Sequence, residues 1–463
     1  MKTSIAHALL TSSLLLTSPA FAQEAAMPAR QEQVATTPTE APPASAAPEA
    51  PLTPEQARKK MVDSPIFKAY LGVVSDLRPF FSQPSKLKGT LENVDQFSFS
   101  PETKKHLKTL FGNDNPLHFT KSVQPDGSTA IGVLLDGLDY KDEKGDAIGH
   151  TETGTATMSF NREFNRMRTS GNFGGLRFGD RDMRVEVGNV SIAGDNVLAP
   201  IDFWLGKSEA KIDAVTVSVP KNEFTLKMSE FDIAADVSMR KNLFDIAYDY
   251  KIGAINWGSD KVEQFDANIA LTNLDGKALR EFLDYSRKVD PASAGEASQM
   301  DAMMKIFKRL GMELSKHGGA IEIHNFSAQY HGQTADMKGR IAIPNLKETD
   351  FDVPQKVYEK LVVKAKLRVP MAMIDDVAHR IAKSIMEAQS KQNGAQVTDM
   401  AVDLVARGMV GKMTDTLVKT QKWAHMEKDV LVTVFEIRKG KLYFDNHIVS
   451  PQSNPFMQMA RGK

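Results

Sequence analysis

Cysteine is absent from the 463-residue sequence. Its absence excludes thiol catalysis, thiolate-bound metals, disulfide bonds and a lipid anchor on an N-terminal cysteine. A surplus charge of either sign is also lacking, because 58 basic residues balance 58 acidic ones. Since neutralising phosphates requires a basic surplus, nucleic acid is not expected as the main partner.

Long apolar runs are missing after the N-terminus, and the apolar run there is short. Lys2 precedes the run from Ile5 to Leu16, and Ala20-Phe21-Ala22 matches the small-x-small cleavage pattern. The run is too short to span a bilayer. The pattern predicts a cleaved signal peptide over residues 1–22, with an uncleaved anchor as the alternative. The expected product is periplasmic or otherwise exported, is not a lipoprotein, and has no transmembrane segment after cleavage.

The composition divides the rest of the chain into a tether and a domain. Half of residues 23–52 are alanine or proline, which predicts a disordered linker because such a segment cannot bury enough apolar surface to offset its ordering. We interpret residues 53–463 as one α+β domain, with a helical start at 53–80, a β-rich part at 88–272 and mixed helices and strands at 273–463.

Two periodicities mark the start of this domain. Thr53, Pro54 and Gln56 form a capping pattern. After Pro65 the apolar residues follow helical spacing, and they are Ile66, Phe67, Tyr70, Leu71 and Val74. From about residue 88 the period becomes two, as in half-buried strands; examples are Ala156/Met158/Phe160, Val215/Val217/Val219 and Phe265/Ala267/Ile269/Leu271.

The strand pattern slips by one residue in five places, where two apolar positions lie three apart. The slips are Leu135/Leu138, Val187/Val190, Ile212/Val215, Met228/Phe231 and Ile323/Phe326. An uncorrected slip would turn the rest of the strand to the other face. A β-bulge absorbs one residue and restores the facing, but a short loop between two strands would do so equally well. Both interpretations stay open.

The second half alternates helices and strands. Asp275 precedes a helix with Leu279, Phe282 and Leu283, and an apolar, methionine-rich stripe from Met300 to Leu314 ends at Gly318-Gly319. His331-Gly332-Gln333 predicts a hairpin turn. Further predicted elements are a strand over Leu361–Val369 stopped by Pro370, a helix with Ile374, Val377, Ile381 and Ile385, a helix over about Val397–Val418, and the hairpin VLVTVFEI-RKGK-LYFDN.

These elements predict an α+β fold with a large, curved, mainly antiparallel β-sheet carrying bulges, and several amphipathic helices in the C-terminal half. The methionines from Met300 to Met312 could serve as an adaptable binding surface, but core filling is favoured.

The glycine-rich stretch SGNFGGLRFGDR, residues 170–181, is a candidate phosphate loop. It matches neither G-x-x-x-x-G-K-[ST] nor G-x-G-x-x-G, and the strand MRVEV follows it where a phosphate loop needs a helix. Its glycines are interpreted as turns with positive φ between strands. The neighbouring basic residues Arg162, Arg166, Arg168, Arg177, Arg181 and Arg184 interleave with Glu163, Asp180, Asp182 and Glu186, which favours a charge-balanced solvated face over an anion site.

Histidine and carboxylate motifs are equally weak. The ten histidines contain no H-E-x-x-H pair, and an odd spacing points His324 and His331 to opposite faces of a strand. Asp375-Asp376 beside His379 is the nearest acid/base cluster. Because Asp375 and His379 are i, i+4 neighbours on a helix, a surface ion pair is the expected arrangement. No G-x-S-x-G elbow is present, and the sequence predicts no catalytic residue, no metal ligand and no cofactor site.

Four segments are similar to a known family. They are GTATMSFNREFNRMRTSGNFGGLRFGDRDMRVEVGNVSIAGD, LDGKALREFLDY, KLVVKAKLRVPMAMIDDVAHR and EKDVLVTVFEIRKGKLYFDN. Over about two-thirds of its length the chain resembles the YdgA-like family of bacterial envelope proteins, domain of unknown function 945. The family's last hairpin carries Asn-Gly, whereas Asn446 is followed here by His447. Family members start with an uncleaved membrane-anchoring helix, which this chain replaces by a cleavable pattern. The resemblance implies an envelope location and no established activity.

Together these observations predict an exported, non-enzymatic cell-envelope protein. Its curved sheet is expected to bind a partner protein of the envelope or an apolar ligand such as lipid. The alternative is an envelope hydrolase acting on glycan or peptidoglycan through carboxylates that no motif identifies. A purely structural or assembly role is a third possibility. The lining of the sheet's concavity discriminates among these roles.

Overall fold

The computed structural model describes residues 65–82, 84–141, 147–179, 183–220, 224–258, 260–288, 305, 308–393 and 396–449. The predicted signal peptide, linker and first capping pattern lie outside these residues, as does the Met300–Phe307 part of the methionine stripe. The helices are α1 (Pro65–Ser82), α2 (Leu87–Thr90), α3 (Pro101–Phe111), α4 (Gly276–Lys288), α5 (308–316), α6 (Pro354–Lys360), α7 (Met371–Asn393) and α8 (Asp399–Thr414), followed by a π-helix over Asp415–Thr420.

The strands of the described residues form one sheet of twenty members. They are β1 (Leu117–Val123), β2 (Thr129–Leu135), β3 (Leu138–Lys141), β4 (Ala147–Thr151), β5 (Gly154–Phe160), β6 (Arg166–Phe173), β7 (Leu176–Gly179), β8 (Arg184–Val187), β9 (Val190–Ala199), β10 (Phe203–Val219), β11 (Phe224–Arg240), β12 (Leu243–Trp257), β13 (Asp260–Asp275), β14 (Ala320–Tyr330), β15 (Gln333–Ala342), β16 (Val362–Pro370), β17 (His425–Glu427), β18 (Val430–Arg438), β19 (Lys441–Phe444) and β20 (His447–Ile448).

All described strand pairs are antiparallel. The main order is β1-β2-β5-β6-β9-β10-β11-β12-β13-β14-β15-β16-β18-β19-β20, with β17 also paired to β18. From β10 to β15 each strand pairs with the next in sequence. Strands β10 to β13, and β14 with β15, are joined as hairpins, whereas the chain between β13 and β14 contains α4 and α5. The predicted α+β fold with a large antiparallel sheet is confirmed.

The long strand β10 is where the sheet branches. Its first half, from Phe203 to Ile212, pairs with β9, and its second half, from Val215 to Ser218, pairs with β8. Beyond β8 the order continues through β7 and β4 to β3. Gly188 and Asn189 separate β8 from β9, and the Asn189 side chain donates a 2.9 Å hydrogen bond to Asp213 at the branch point.

The five predicted slips have three different structural origins. Leu135/Leu138 and Val187/Val190 are short loops between strands. Ile323/Phe326 is a bulge, because β14 shifts register against β15 at that point. Ile212/Val215 and Met228/Phe231 lie opposite each other in β10 and β11, whose register is the same on both sides of the slip. Because both strands are irregular at the same place, neither gains a residue relative to the other. The apolar side chains before and after the slip therefore stay on the same face without a register shift.

Most of the other elements were predicted correctly from local sequence signals. Asp275 accepts a 2.9 Å hydrogen bond from the Ala278 N–H at the start of α4. Gly318, with φ of 69°, ends α5. His331 and Gly332 have φ of 48° and 72°, as a two-residue hairpin turn requires. Pro370 ends β16, and the predicted helices and terminal hairpin correspond to α7, α8, β18 and β19.

Two interpretations need correction. The stretch 170–181 is not mainly turn: Gly171 lies inside β6, and among its described glycines only Gly179 has a positive φ, 141°. Gly171 is required because a Cβ there would lie 2.7 Å from the Ala156 Cβ. Helix α3 occupies a segment interpreted as β-rich, and Ser100 caps it by accepting a hydrogen bond from the Thr103 N–H.

The chain divides into two compact units, 1–78 with 98–115 and 79–97 with 116–463. In the described part of the first, Asp76 of α1 accepts a 2.8 Å hydrogen bond from the Ser100 N–H. The second unit contains the sheet. Its apolar clusters include one around Phe244, Leu274 and Leu279 beside α4, and one between α7 and α8, where Ala378, Ala382, Val402, Ala406 and Val410 pack together.

Candidate functional site

A solvent-open groove of about 800 Å³ lies on the sheet of the second unit. It crosses β5, β6 and the five strands from β9 to β13. Side chains alternate between the two faces of a strand, so the antiparallel registers determine which residues share the face of the groove. On this face three parallel rows of residues run across the strands. The first row and the middle row line the groove, and part of the third row lines an adjoining smaller cavity.

The outer two rows are ladders of alternating charge. Row one is Ser159, Arg168, Asp195, Lys207, Asp236 and Ala247. Row three is Asn172, Ser191, Lys211, Asp232, Lys251 and Asp266. Opposite charges that face each other on neighbouring strands attract, so both ladders stabilise the register that creates them.

The middle row is the floor of the groove and has mainly small side chains. It consists of Thr157, Ser170, Ala193, Glu209, Ala234, Asp249 and Asn268. Strands lie about 4.8 Å apart, which makes this floor about 29 Å long. Residues two apart on a strand are separated by about 6.8 Å, so the two outer rows stand about 14 Å apart. The groove is long, narrow and floored by short side chains.

Arginines clamp one acidic residue in row one. The Arg166 guanidinium donates two hydrogen bonds, of 2.9 and 2.7 Å, to the two carboxylate oxygens of Asp195, and Arg168 lies 3.4 Å from the same carboxylate. The hydrogen bond from Arg166 lowers the pKa of Asp195 below its usual value. Asp195 is therefore an ionised acceptor near neutral pH and is unsuited to act as a general acid.

A lysine and two carboxylates meet between the floor and row three. Lys211 lies 2.6 Å from Glu209 and 3.8 Å from Asp232, and the hydrogen bond to Glu209 raises the pKa of Lys211. Burial, with the nearby Glu209 charge, raises the pKa of Asp232. Glu209 and Lys211 also line a second cavity of about 260 Å³ that adjoins the groove.

The opposite face of the same strands is apolar. Tyr248 belongs to the residues lining the groove, but its ring packs against the apolar cluster around Phe244 on the other face. Ile233, Tyr250 and Ile252 also lie on that face and are half-buried. Because the groove side bears polar and small side chains, it offers no aromatic ring on which a sugar or an apolar ligand could stack.

The predicted pair between Asp375 and His379 is wrong. His379 Nδ1 lies 3.0 Å from Asp403 of α8, and His331 Nδ1 lies 3.0 Å from Asp376. Packing of α7 against α8 brings the Asp403 carboxylate to His379, and the β14–β15 turn brings His331 to Asp376. Tertiary neighbours have replaced the local i, i+4 partner. Neither pair lies in the groove.

The β14–β15 turn is tied to α7 by a compact polar cluster. Arg380 forms an ion pair with Asp260, donates a 3.3 Å hydrogen bond to His331 Nε2, and lies 5.1 Å from the Tyr330 ring centroid. The His331 ring stacks on Tyr330 with 4.3 Å between centroids. This cluster ties the β14–β15 turn to the first half of α7 and is interpreted as structural.

The other sequence candidates do not converge on one site. His324 lies in the β14 bulge, and no three metal-ligating side chains cluster among the described residues. The arginines at positions 166 and 168 pair with Asp195, which is distant in sequence. Asp180, Arg181 and Asp182 lie outside the described residues.

The groove itself was missed by sequence reasoning. One signal was present: Lys207, Glu209 and Lys211 alternate with apolar or small residues at the period of a strand. Recognising the ladders, however, requires knowing that β9 lies between β6 and β10. The pairing of Arg166 with Asp195 spans 29 residues and follows from that order alone.

In the described part of the chain, no helix combines the length and the apolarity that crossing a bilayer demands. The fold and groove define an α+β protein built on one large open antiparallel sheet, with a charged groove on one face. The chain belongs to the family described as bacterial protein of unknown function (DUF945), whose family model matches residues 94–452. The resemblance to the YdgA-like family is thereby confirmed. None of the curated proteins compared with the chain matches it.

Proposed function

We propose that this protein is a non-catalytic binding protein of the bacterial cell envelope, and that the groove holds an extended segment of a partner protein. The observation that carries the proposal is the floor of small side chains between two charged ladders. A cleft built for catalysis concentrates a few perturbed groups around one point, whereas these groups are distributed along seven strands.

The dimensions of the groove suit one extended chain. A width of about 14 Å between the outer rows accommodates a single peptide with its side chains, and a length of about 29 Å corresponds to about nine residues at 3.1–3.4 Å per residue. Alternating charges on both walls favour polar and charged side chains in the partner. They disfavour an apolar ligand, which would leave those charges desolvated.

The two carboxylates on the floor of the groove set the expected spacing of basic residues in the partner. Glu209 and Asp249 lie in the same row on β10 and β12. Strands two apart are separated by about 9.6 Å, close to the 9.3 Å advance of three residues in a polyproline II helix. An extended partner with a basic residue at every third position would place its cations above both carboxylates.

Binding of labelled peptides tests this proposal. A polyproline-type peptide with lysine at every third position should bind more tightly than the same peptide with glutamate, when measured by fluorescence anisotropy. Ala234→Arg places a long cation on the floor and should abolish binding. Ser238→Arg, on the same strand and face but outside the groove, is the matched control and should bind normally.

Two results would contradict peptide binding through the floor of the groove. If both lysine and glutamate peptides bind alike, or if Ala234→Arg and Ser238→Arg weaken binding equally, affinity does not arise from the floor carboxylates. Circular dichroism of both variants would establish that neither has unfolded.

The proposed envelope location rests on the predicted signal peptide and on the location that the resemblance to the YdgA-like family implies. Fractionation of cells producing the full chain should place the protein outside the cytoplasm, and N-terminal sequencing should begin at Gln23. Replacing Ala22 by aspartate should block cleavage, because the site needs a small residue there. A cytoplasmic, unprocessed protein would contradict this part of the proposal.

A lipid remains a competing ligand because of the half-buried apolar face around Ile233, Tyr250 and Ile252. A bound acyl chain there would leave the groove free. Extraction and mass spectrometry of the purified protein should find no stoichiometric lipid if the groove is the binding site. Stoichiometric lipid, with no peptide binding, would support the apolar face instead.

One observation favours the hydrolase alternative. Asp232, whose pKa burial raises, lies beside Glu209, which Lys211 holds at 2.6 Å. A carboxyl group with a raised pKa beside a second carboxylate is one part of an acid/base pair. Turnover of peptidoglycan that Asp232→Asn abolishes would establish this activity. Absence of turnover in the wild type would retire it.

A further inference from the structure

The helical hairpin α7–α8 exposes apolar side chains that the groove does not use. Two of them, Met400 and Leu404, are 83% and 74% exposed, more than any other large apolar side chain among the described residues. Smaller fractions are exposed at Val377, Ile381, Ile385 and Val405. A cluster of this kind on the surface indicates an interaction site.

Helix α8 is apolar on two sides. Val402, Ala406 and Val410 are buried against α7. At 100° per residue, Met400, Leu404, Gly408 and Gly411 form a stripe on the opposite side of the helix. Apart from the two adjoining residues and the backbone of α8 itself, no protein atom lies within 4 Å of the position that a Cβ would take at Gly408 or Gly411. The stripe therefore has two large knobs in its first half and two open hollows in its second half.

We propose that this stripe is a two-fold interface between two copies of the chain, with their α8 helices antiparallel. The geometry that points to a second copy is self-complementarity. Met400 and Gly411 are equidistant from the level of residues 405–406, and so, within one residue, are Leu404 and Gly408. A two-fold axis at that level places both knobs of each helix over the hollows of the other, as an isologous interface requires.

Charge follows the same symmetry. Asp403 and Arg407 lie along one edge of the stripe, and the same axis brings Asp403 of each copy beside Arg407 of the other. Asp403 is 53% exposed even though it pairs with His379, so its carboxylate is accessible to a partner. Opposite charges that meet at the rim of an interface fix its register and select the correct partner.

The contact is small. Helix α8 has 16 residues and is about 24 Å long, which is less than a standard stable interface provides. The dimer should consequently form in the micromolar range and dissociate on dilution. Its formation is independent of peptide binding in the groove.

Sedimentation velocity of the full mature chain over a concentration series tests the interface. The wild type should shift from monomer to dimer, whereas Leu404→Asp and Gly408→Leu should remain monomeric because they charge a knob and fill a hollow. Lys338→Glu, an exposed charge change on β15, is the control and should dimerise normally. A wild type that stays monomeric, or a dimer that Leu404→Asp leaves intact, would overturn the proposal.

Charge reversal gives a sharper test. Asp403→Lys and Arg407→Glu should each weaken self-association at least tenfold, since each places like charges together twice. Mixing the two variants should restore a heterodimer in which every pair is opposite. His379→Gln should dimerise normally, which separates loss of the His379 contact from loss of the interface. Failure of the mixture to associate would contradict the antiparallel register.

A membrane surface is the other occupant that an apolar helix face could have. Flotation with vesicles of neutral and anionic phospholipid would detect it. If Leu404→Asp abolishes flotation of a wild type that is monomeric in solution, the stripe binds lipid and the dimer proposal is wrong.

Discussion

Gly206 in β10 is a single residue that allows β9 and β10 to pair closely beside the groove. Its φ is 126°, and a Cβ there would lie 2.2 Å from the Asp195 carbonyl oxygen. Gly206→Ala should lower the free energy of unfolding by about 1–3 kcal/mol or more. The substitution combines backbone strain with a clash between the new Cβ and the Asp195 carbonyl oxygen. Denaturant unfolding measures this loss.

Gly89→Ala is the matched control, because nothing lies within 4 Å of the Cβ position in α2. Helix propensity should make that substitution neutral or stabilising by up to about 1 kcal/mol. Equal losses in both variants would show that alanine is harmful for a reason other than the space at residue 206.

His425 is the residue whose charge state should couple to stability. Its Nδ1 lies 2.7 Å from Asp445, and this hydrogen bond, assisted by Glu427, raises the pKa of His425. A raised folded pKa gives stability that is complete below the unfolded value of about 6.5 and disappears as pH rises through the folded value. Because the side chain is 44% exposed, solvent should limit the effect to less than about 1 kcal/mol.

His425→Gln tests that sign. The difference in unfolding free energy between wild type and variant should be greatest below pH 6.5 and should decrease at higher pH. An NMR titration of the imidazole should give a pKa above 6.5. A difference that grows with pH would mean that the histidine is stabilised in its neutral form.

At the scale of elements, the β14 bulge carries an extra residue that keeps both halves of the strand facing correctly. Ile323 and Phe326 lie three apart, and His324 has no partner in β13. Deleting His324 should leave a regular ladder with the same facing, so the protein should fold with a modest loss of stability. Ser327 pairs with Asp266 and Asp336. Deleting it should turn every later side chain of β14 to the opposite face of the sheet.

Thermal unfolding distinguishes the two deletions. We expect a cooperative transition for the His324 deletion and a far lower or absent transition for the Ser327 deletion. Similar melting temperatures would show that facing within β14 contributes little to the sheet.

Elements with local signals could be predicted from sequence, and elements that depend on strand order could not. Asp275 as a cap, His331-Gly332 as a turn and Pro370 as a stop act within a few residues, so their physics is visible in the chain itself. The groove depends on Asp195 and Lys207 lying beside each other, which follows from the register of β9 and β10. The predicted pair between Asp375 and His379 was wrong for the same reason, because the actual partner Asp403 comes close to His379 only when α8 packs on α7.

For the whole molecule, the balance of 58 basic and 58 acidic residues means that no long-range net charge attracts or repels a partner. Salt should therefore act through local contacts, and the two proposed surfaces should respond differently. Raising ionic strength from 0.1 to 1 M shortens the Debye length from about 10 to about 3 Å. The affinity of the lysine peptide for the groove should fall by about tenfold or more, since both the ligand and the exposed carboxylates are charged.

Self-association through Met400 and Leu404 should change little over the same range, because burial of apolar surface is not weakened by screening. Sedimentation and anisotropy on one preparation of the protein would measure both effects. Peptide binding that withstands high salt would assign its affinity to the apolar face of the sheet and not to the ladders. Dimerisation that disappears with salt would make the Asp403–Arg407 contact, and not the knobs and hollows, the source of its stability.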